Sequence, residues 1–433
     1  MVKILSKITA LSIGALFFSN AYGQVTILGN GLQPSNVSNT GAVVGSFQNS
    51  SFLWTPENGL INIGDISNGS SYSGDADITA DGTKAAFTST NPATNLNEFT
   101  LYDIATKTPT YLGGGSDAFD GTTGSAFAMS SNGNYIVGRG YKGTPTVSTP
   151  VKWENGVGVT ELQTTSPQGG GANGISLDGN VIGGFLNSQF GEAMGAVWKN
   201  GTPTLITDND GMPMTYVTKV SDDGNWAIAN SYDQSAVIWN ETAGATKIPP
   251  INVTTDMYTG YPTGINADGS KVVGYYRDAF SPSFGTNESF FWTPSGGSVL
   301  LSQYVTSLGL DTQGVNFILP TDISPNGKYI VGWGTKDGKL LGFRIELPDA
   351  AMTANDIDKK VISIYPNPVK DVLNISGAST ISDVEIYDIS GKKVSEVKDV
   401  KNRQLNIHYL PKGSYLLKGL FDQQQRTLKI IKE

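Results

Sequence analysis

Thr321-Asp322-Ile323-Ser324-Pro325-Asn326-Gly327-Lys328-Tyr329-Ile330-Val331-Gly332 reads as an alternating strand, a turn and an apolar strand. An Asn-Gly pair suits a two-residue hairpin, because both central positions need positive φ, which Gly takes freely and Asn tolerates. The same unit recurs upstream, around Gly41, Asp81-Gly82, Asn132-Gly133, Asp178-Gly179, Asp223-Gly224 and Asp268-Gly269. Successive turn glycines lie 41, 51, 46, 45, 45 and 58 residues apart. A period near 45 with short strands on either side of each turn is the pattern of a propeller blade.

The rest of each unit fits that pattern. After most turns comes a third strand ending in an aromatic: Trp54, Trp153, Trp198, Trp239 and Trp292, with Tyr102 in the second unit. A large indole at a repeated position is expected to be buried between neighbouring blades. Fourth strands follow at Leu60–Ile63, Thr110–Leu112, Thr204–Ile206 and Ser298–Leu301. The seventh unit stops after Leu341–Leu347, and Val25-Thr26-Ile27-Leu28-Gly29 supplies the missing strand from the other end of the chain. Left unpaired, that last blade would expose a bare edge. The expected fold is all-β: a seven-bladed β-propeller closed by an N-terminal strand, then a small Ig-like β-sandwich.

Length and composition agree. A chain of 433 residues with 53 Gly and 15% charged residues suits many tight turns between short strands, and no helical periodicity follows the first 20 residues. Residues 1–23 read as a secretory signal peptide: Lys3 and Lys7, an apolar run Ile8–Phe18, and Ala21-Tyr22-Gly23 at the cleavage position. The expected division is 24–348 propeller, 349–360 polar linker and 361–433 C-terminal domain. No cysteine is present, so no disulfide supports the fold. Residues 24–360 carry 16 Lys+Arg against 30 Asp+Glu, and residues 361–433 carry 11 against 8. An acidic ring is a poor nucleic-acid partner.

The C-terminal segment is marked by Tyr365-Pro366-Asn367-Pro368, where two prolines forbid a continued ladder. Asp388-Ile389-Ser390-Gly391-Lys392, Leu410-Pro411-Lys412-Gly413-Ser414-Tyr415 and Lys429-Ile430-Ile431-Lys432 follow in order. These residues resemble the type A sorting domain of the type IX secretion system. The resemblance implies export across the inner membrane, recognition by the outer-membrane machinery of that system, and a secreted or surface-attached product. Its sorting residues map to Tyr365, Pro366, Asn367, Pro368, Gly391, Gly413, Tyr415 and Lys432. The ring stretch Thr263-Gly264-Ile265-Asn266-Ala267-Asp268-Gly269-Ser270-Lys271-Val272-Val273-Gly274 is similar to the extracellular HAF repeat, without its His-Ala-Phe. The opening stretch also resembles WD-type and TolB-type blades.

The one histidine, His408, lies in the C-terminal domain. A ring with no His or Cys offers neither Ser-His-Asp nor Cys-His catalysis nor His-ligated zinc. No cofactor and no metal site are expected. Asp81, Asp178, Asp223 and Asp268 sit where turns already explain them. Asp208-Asn209-Asp210-Gly211 opens like a calcium loop but lacks its closing Glu. The loops that follow each second strand, or precede each first strand, gather Arg139, Tyr141, Phe185, Phe190, Tyr258, Tyr261, Tyr275, Tyr276, Arg277 and Asp278, with Phe280 and Phe284. Exposed aromatics beside Arg and Asp suit a glycan or protein ligand. The expected function is therefore a non-catalytic binding or adhesion module. The alternative is a carboxylate-dependent glycoside hydrolase or polysaccharide lyase, marked by two or more buried carboxylates at the axis, away from any turn.

Overall fold

The computed structural model describes residues 23–433 apart from 68–73, 116, 118–120, 144–146, 253–257, 279–286, 350, 352–362, 377–379, 389–391, 401–402 and 422–423. The signal-peptide and linker expectations, Phe280, Phe284 and Gly391 therefore fall outside the described residues.

Among the described residues, seven four-stranded antiparallel sheets succeed one another. Six are local, spanning 33–65, 77–111, 124–161, 170–205, 216–248 and 258–300. The seventh takes Asn316–Ile323, Tyr329–Lys336 and Lys339–Glu346, and its fourth strand is Gln24–Asn30. Val25 pairs with Ile345 and Ile27 with Phe343, as expected for an N-terminal strand that completes the last sheet. Each sheet packs on the next, and Gln33–Val37 of the first packs on the strands of the seventh. The arrangement is propeller-like.

The core lies between the sheets. Val44, Leu53 and Ile63 of the first sheet bury against Ile78, Phe87 and Tyr102 of the second. Val37, Val43 and Phe52 meet Val331 of the seventh. Strands buried on both faces explain apolar runs such as Tyr329-Ile330-Val331 better than alternation would. Of the third-strand indoles, Trp153, Trp198 and Trp292 are buried, whereas Trp54 and Trp239 are partly exposed.

The turns differ from the expected two-residue hairpin. Gly327 has φ 73° while Asn326 keeps negative φ, and the Gly327 N–H donates to Ser324 O at 2.7 Å. Ser324 Oγ then accepts from the N–H groups of Lys328 and Tyr329 at 3.1 and 2.9 Å. This is a longer loop built on a type I turn, locked by a hydroxyl three residues before the glycine. Ser38, Thr79, Ser130, Ser176 and Ser221 occupy the same place, and Asn266 substitutes its amide oxygen. The Asp that follows caps the turn: Asp178 Oδ1 accepts from Ser176 Oγ at 2.6 Å and from Asn180 N–H at 3.0 Å. The same bonds hold Asp178 below the usual carboxylate range. Successive turns are also tied to one another, Asn39 N–H to Ala80 O and Ala80 N–H to Ser131 O, and Asn326 N–H to Asn39 Oδ1 joins the last to the first.

One short helix, Leu301–Ser307, follows the sixth sheet and takes Leu301 from the expected fourth strand, which ends at Leu300. Buried Leu301 and Val305 anchor it, and Phe291 stacks on Tyr304 at 4.0 Å.

The C-terminal residues form a three-stranded and a four-stranded sheet around one core that includes Leu373, Ile386, Tyr415, Leu417 and Ile430. Strand Ser363–Tyr365 ends at the Pro-Asn-Pro motif, as its prolines require. Asn367 clamps the final strand, donating to Lys429 O at 2.9 Å and accepting from the Ile431 N–H at 2.7 Å. Tyr415 is buried and donates to Pro411 O at 2.8 Å, and Lys432 is buried as well. Tyr365, Pro366 and Pro368 are exposed beside them, and Gly413 opens the strand that carries Tyr415.

Candidate ligand-binding site and axial cluster

Six of the seven first strands carry a β-bulge at the same repeat position, at Ser35, Phe127, Asn173, Thr218, Thr263 and Thr321. A bulge bends its strand and re-aims the next side chain. Four of the six bulge residues bond across to the next sheet: Ser35 Oγ to Ala76 O, Asn173 Nδ2 to Val217 O, Thr218 Oγ1 to Pro262 O, and Thr263 Oγ1 to Pro320 O at 2.6–3.0 Å. The residue that follows then faces the axis. That position reads Asn36, Asp77, Ala128, Gly174, Lys219, Gly264 and Asp322 around the sheets.

The four polar members meet there. Lys219 Nζ donates to Asp322 Oδ1 at 2.5 Å and to Asn36 Oδ1 at 2.7 Å. Asp322 Oδ2 accepts from the Val37 N–H at 3.2 Å. Asp77 accepts from the Met129 and Ile78 N–H groups at 2.8 and 2.7 Å. Burial raises both carboxyls against the pull of Lys219, and Asp77 is pushed up to about 7. Ser131 Oγ donates to Asp222 Oδ1 at 2.7 Å, bridging the third and fifth sheets. The cavity among these groups holds about 60 Å³. Small-molecule pockets start near ~300 Å³, so this space suits a few waters rather than a sugar ring.

Of the described residues expected in loops, only Phe190 lies in one: Arg139, Tyr141, Phe185, Tyr258, Tyr261, Tyr275, Tyr276, Arg277 and Asp278 all sit on strands, because the first and second strands run on past the apolar stretches that mark them in the sequence. Arg139 and Phe185 come together, with Phe185 buried rather than exposed as expected: the guanidinium lies 4.4 Å from the Phe127 ring and 5.0 Å from Phe185. Phe185 meets Tyr216 edge-on at 5.0 Å. Burial lowers the Arg139 guanidinium from its ordinary value, offset by the Tyr141 and Tyr216 hydroxyls and the Asp75 carboxylate. Its Nε is enclosed without an acceptor. On the sixth sheet Tyr261 and Tyr275 stack at 4.9 Å, and burial pushes the Tyr275 hydroxyl up to about 12.

Tyr141 and Tyr276 have no surface to offer. Tyr141 is buried and donates to Ser125 Oγ at 3.2 Å. Tyr276 is buried, donates to Ile248 O and accepts from the Ala236 N–H. Tyr258 packs against the core between sheets five and six, Phe190 stands alone at 82% exposed, and Arg277 and Asp278 end the strand that carries Tyr275. Sequence reasoning missed Phe127, which occupies a bulge rather than a loop, and Tyr216, which opens a first strand. It missed the axial set entirely, although every member stands two residues before the turn Ser, Thr or Asn. Among the described residues no cluster of three or more His, Asp or Glu could hold a metal ion. The Asp208 loop is a turn in which Asp208 Oδ1 accepts from the Asp210 and Met212 N–H groups.

Comparison with solved structures returns remote likenesses. An oligogalacturonate lyase from Vibrio parahaemolyticus is 12% identical with a TM-score of 0.48, over 75% of this chain and 94% of that one. A chain of the mitotic checkpoint complex is 13% identical with a TM-score of 0.46, over 80% and 98%. TolB from Acinetobacter baumannii is 13% identical with a TM-score of 0.39, over 64% and 62%. No curated protein matches the chain. Residues 363–433 match the family model of the secretion system C-terminal sorting domain. That tail marks the chain as a protein secreted by the type IX system, destined for the cell surface or the medium.

Proposed function

We propose that residues 24–348 form a closed seven-bladed propeller carried by an Ig-like sorting sandwich, and that this propeller binds an extracellular glycan without catalysis. Leader 1–23 takes the chain across the inner membrane, and the tail takes it across the outer one. The observation that carries the binding reading is Arg139, wedged between Phe127 and Phe185. An arginine packed between aromatic rings beside the exposed Tyr216 is the composition of a binding hot spot. Tyr216 and the Tyr261–Tyr275 stack add flat surfaces from the next two sheets.

Arg139→Met keeps the side-chain length and removes the donors. Combined with Tyr216→Ala, it is expected to weaken binding on a glycan array roughly tenfold or more, as for a central Arg–aromatic anchor. Unchanged binding would remove this site. Tyr276 is left intact, because its loss would damage the core.

The enzyme reading has one observation in its favour, the enclosed axial carboxylates Asp77 and Asp322. Both are already engaged by backbone N–H groups, and Asp322 also by Lys219. Release of reducing ends or unsaturated uronates from a polysaccharide, abolished in Asp322→Asn, would establish that reading instead.

Export is separately testable. Deleting residues 361–433 should leave the propeller in the periplasm, read by fractionation and immunoblotting. Normal appearance outside the cell would refute the role given to the tail.

A further inference from the structure

The third-strand aromatic is a repeated position, and its surroundings are not the same in every sheet. Trp153, Trp198 and Trp292 are closed over, as is Tyr102. Trp54 is partly open, but the Arg344 guanidinium covers it at 5.0 Å. Trp239 is the departure. A cavity of about 310 Å³ opens beside it on the outer rim between the fourth and fifth sheets. A second cavity of about 80 Å³ is bordered by the same indole, by Val197, and by the Lys199–Glu241 ion pair that joins the two sheets. The larger cavity falls within the size range of small-molecule sites.

The chemistry of its wall is specific. Trp239 supplies a flat apolar face, and Leu205 an apolar edge that is 42% exposed. Thr204, Lys199, Glu241 and Asp208 supply hydroxyl, ammonium and carboxylate groups around that face. The C–H face of a pyranose matches an indole, and its ring hydroxyls match alternating donors and acceptors. Asp208 and Glu241 against Lys199 leave the wall acidic, which disfavours a uronate.

We propose that this cleft binds one pyranose unit of an uncharged glycan against the Trp239 indole. It lies apart from the Arg139 cluster, so the chain has two contact points for polysaccharide. Linked sites raise apparent affinity without any new contact.

The test is calorimetric titration of the mature full chain with cellohexaose, xylohexaose, maltohexaose, chitohexaose and an oligogalacturonate of equal length. At least one neutral hexaose should bind, and Trp239→Ala should weaken it at least tenfold with the thermal midpoint kept. Thr204→Trp, an exposed substitution that fills the cleft, should do the same. The titrations are repeated on Arg139→Met, which lacks the other proposed site: a hexaose that no longer binds there was held by the Arg139 cluster and overturns the cleft, whereas one still bound there and lost on adding Trp239→Ala is held by the cleft. Absence of binding by every neutral hexaose, affinity unchanged in both cleft variants, or tighter binding of the oligogalacturonate by the Arg139→Met protein would each overturn the assignment.

Discussion

Lys219→Met should destabilise the protein by about 3–5 kcal/mol near pH 8, the usual cost of leaving one side of an enclosed ion pair without its partner. The loss at pH 5 should be far smaller. Lys219 is the cation in contact with Asp322, and its charge also opposes the upward shift of Asp77. Both carboxyls have raised values in the folded state, so they favour folding fully at low pH and lose that contribution as pH rises. For Asp77 the loss runs from about pH 4, the unfolded carboxylate value, to about 7. Without the ammonium the carboxyls move higher still, and the decline with pH steepens. Urea titrations of wild type and variant at both pH values check this. An equal loss at pH 5 and pH 8 would mean that Lys219 acts through packing, and the electrostatic account of the axis would fail.

Removing Gln24–Asn30 should abolish the single cooperative unfolding transition of the propeller. The strand buries Val25 and covers Phe343 and Ile345, both wholly inaccessible, while Gln313 Nε2 fixes the Val25 carbonyl at 2.6 Å. Burying one aliphatic side chain contributes about 1.5–3 kcal/mol, so two or three of them approach the whole margin of a typical fold. The strand Lys339–Glu346 would also become an open edge. Calorimetry should show a broadened transition at lower temperature, with aggregation. A peptide of residues 24–30 added in trans should recover part of the lost midpoint. A sharp, unshifted transition in the truncated protein would show that the strand is ornamental.

The architecture was readable because it repeats. Seven glycines at steady intervals, and Val25–Leu28 matching a missing fourth strand, need no knowledge of packing, and the register Val25–Ile345 agrees with them. Turn chemistry was read less well. Asn326-Gly327 suggested a two-residue hairpin, whereas Ser324, three residues earlier, decides the loop through its hydroxyl. The candidate sites were the least readable. Tyr275 and Tyr276 are adjacent, yet strand alternation sends one to a stack with Tyr261 and the other into the core. Asn36, Asp77, Lys219 and Asp322 are scattered over most of the chain. The common spacing from the turn hydroxyl brings all four to one place, and a shared bulge re-aims Asn36, Lys219 and Asp322.

The Gln24–Asn30 strand and its partner Lys339–Glu346 come from opposite ends of the propeller sequence. A ribosome delivers the second only moments before residue 363, where the address for export begins. A chain cut short anywhere within the sheets therefore lacks both its closure and its address. Incomplete translation products would stay behind without any inspector to reject them, because the order of the text already sorts the finished copies from the rest.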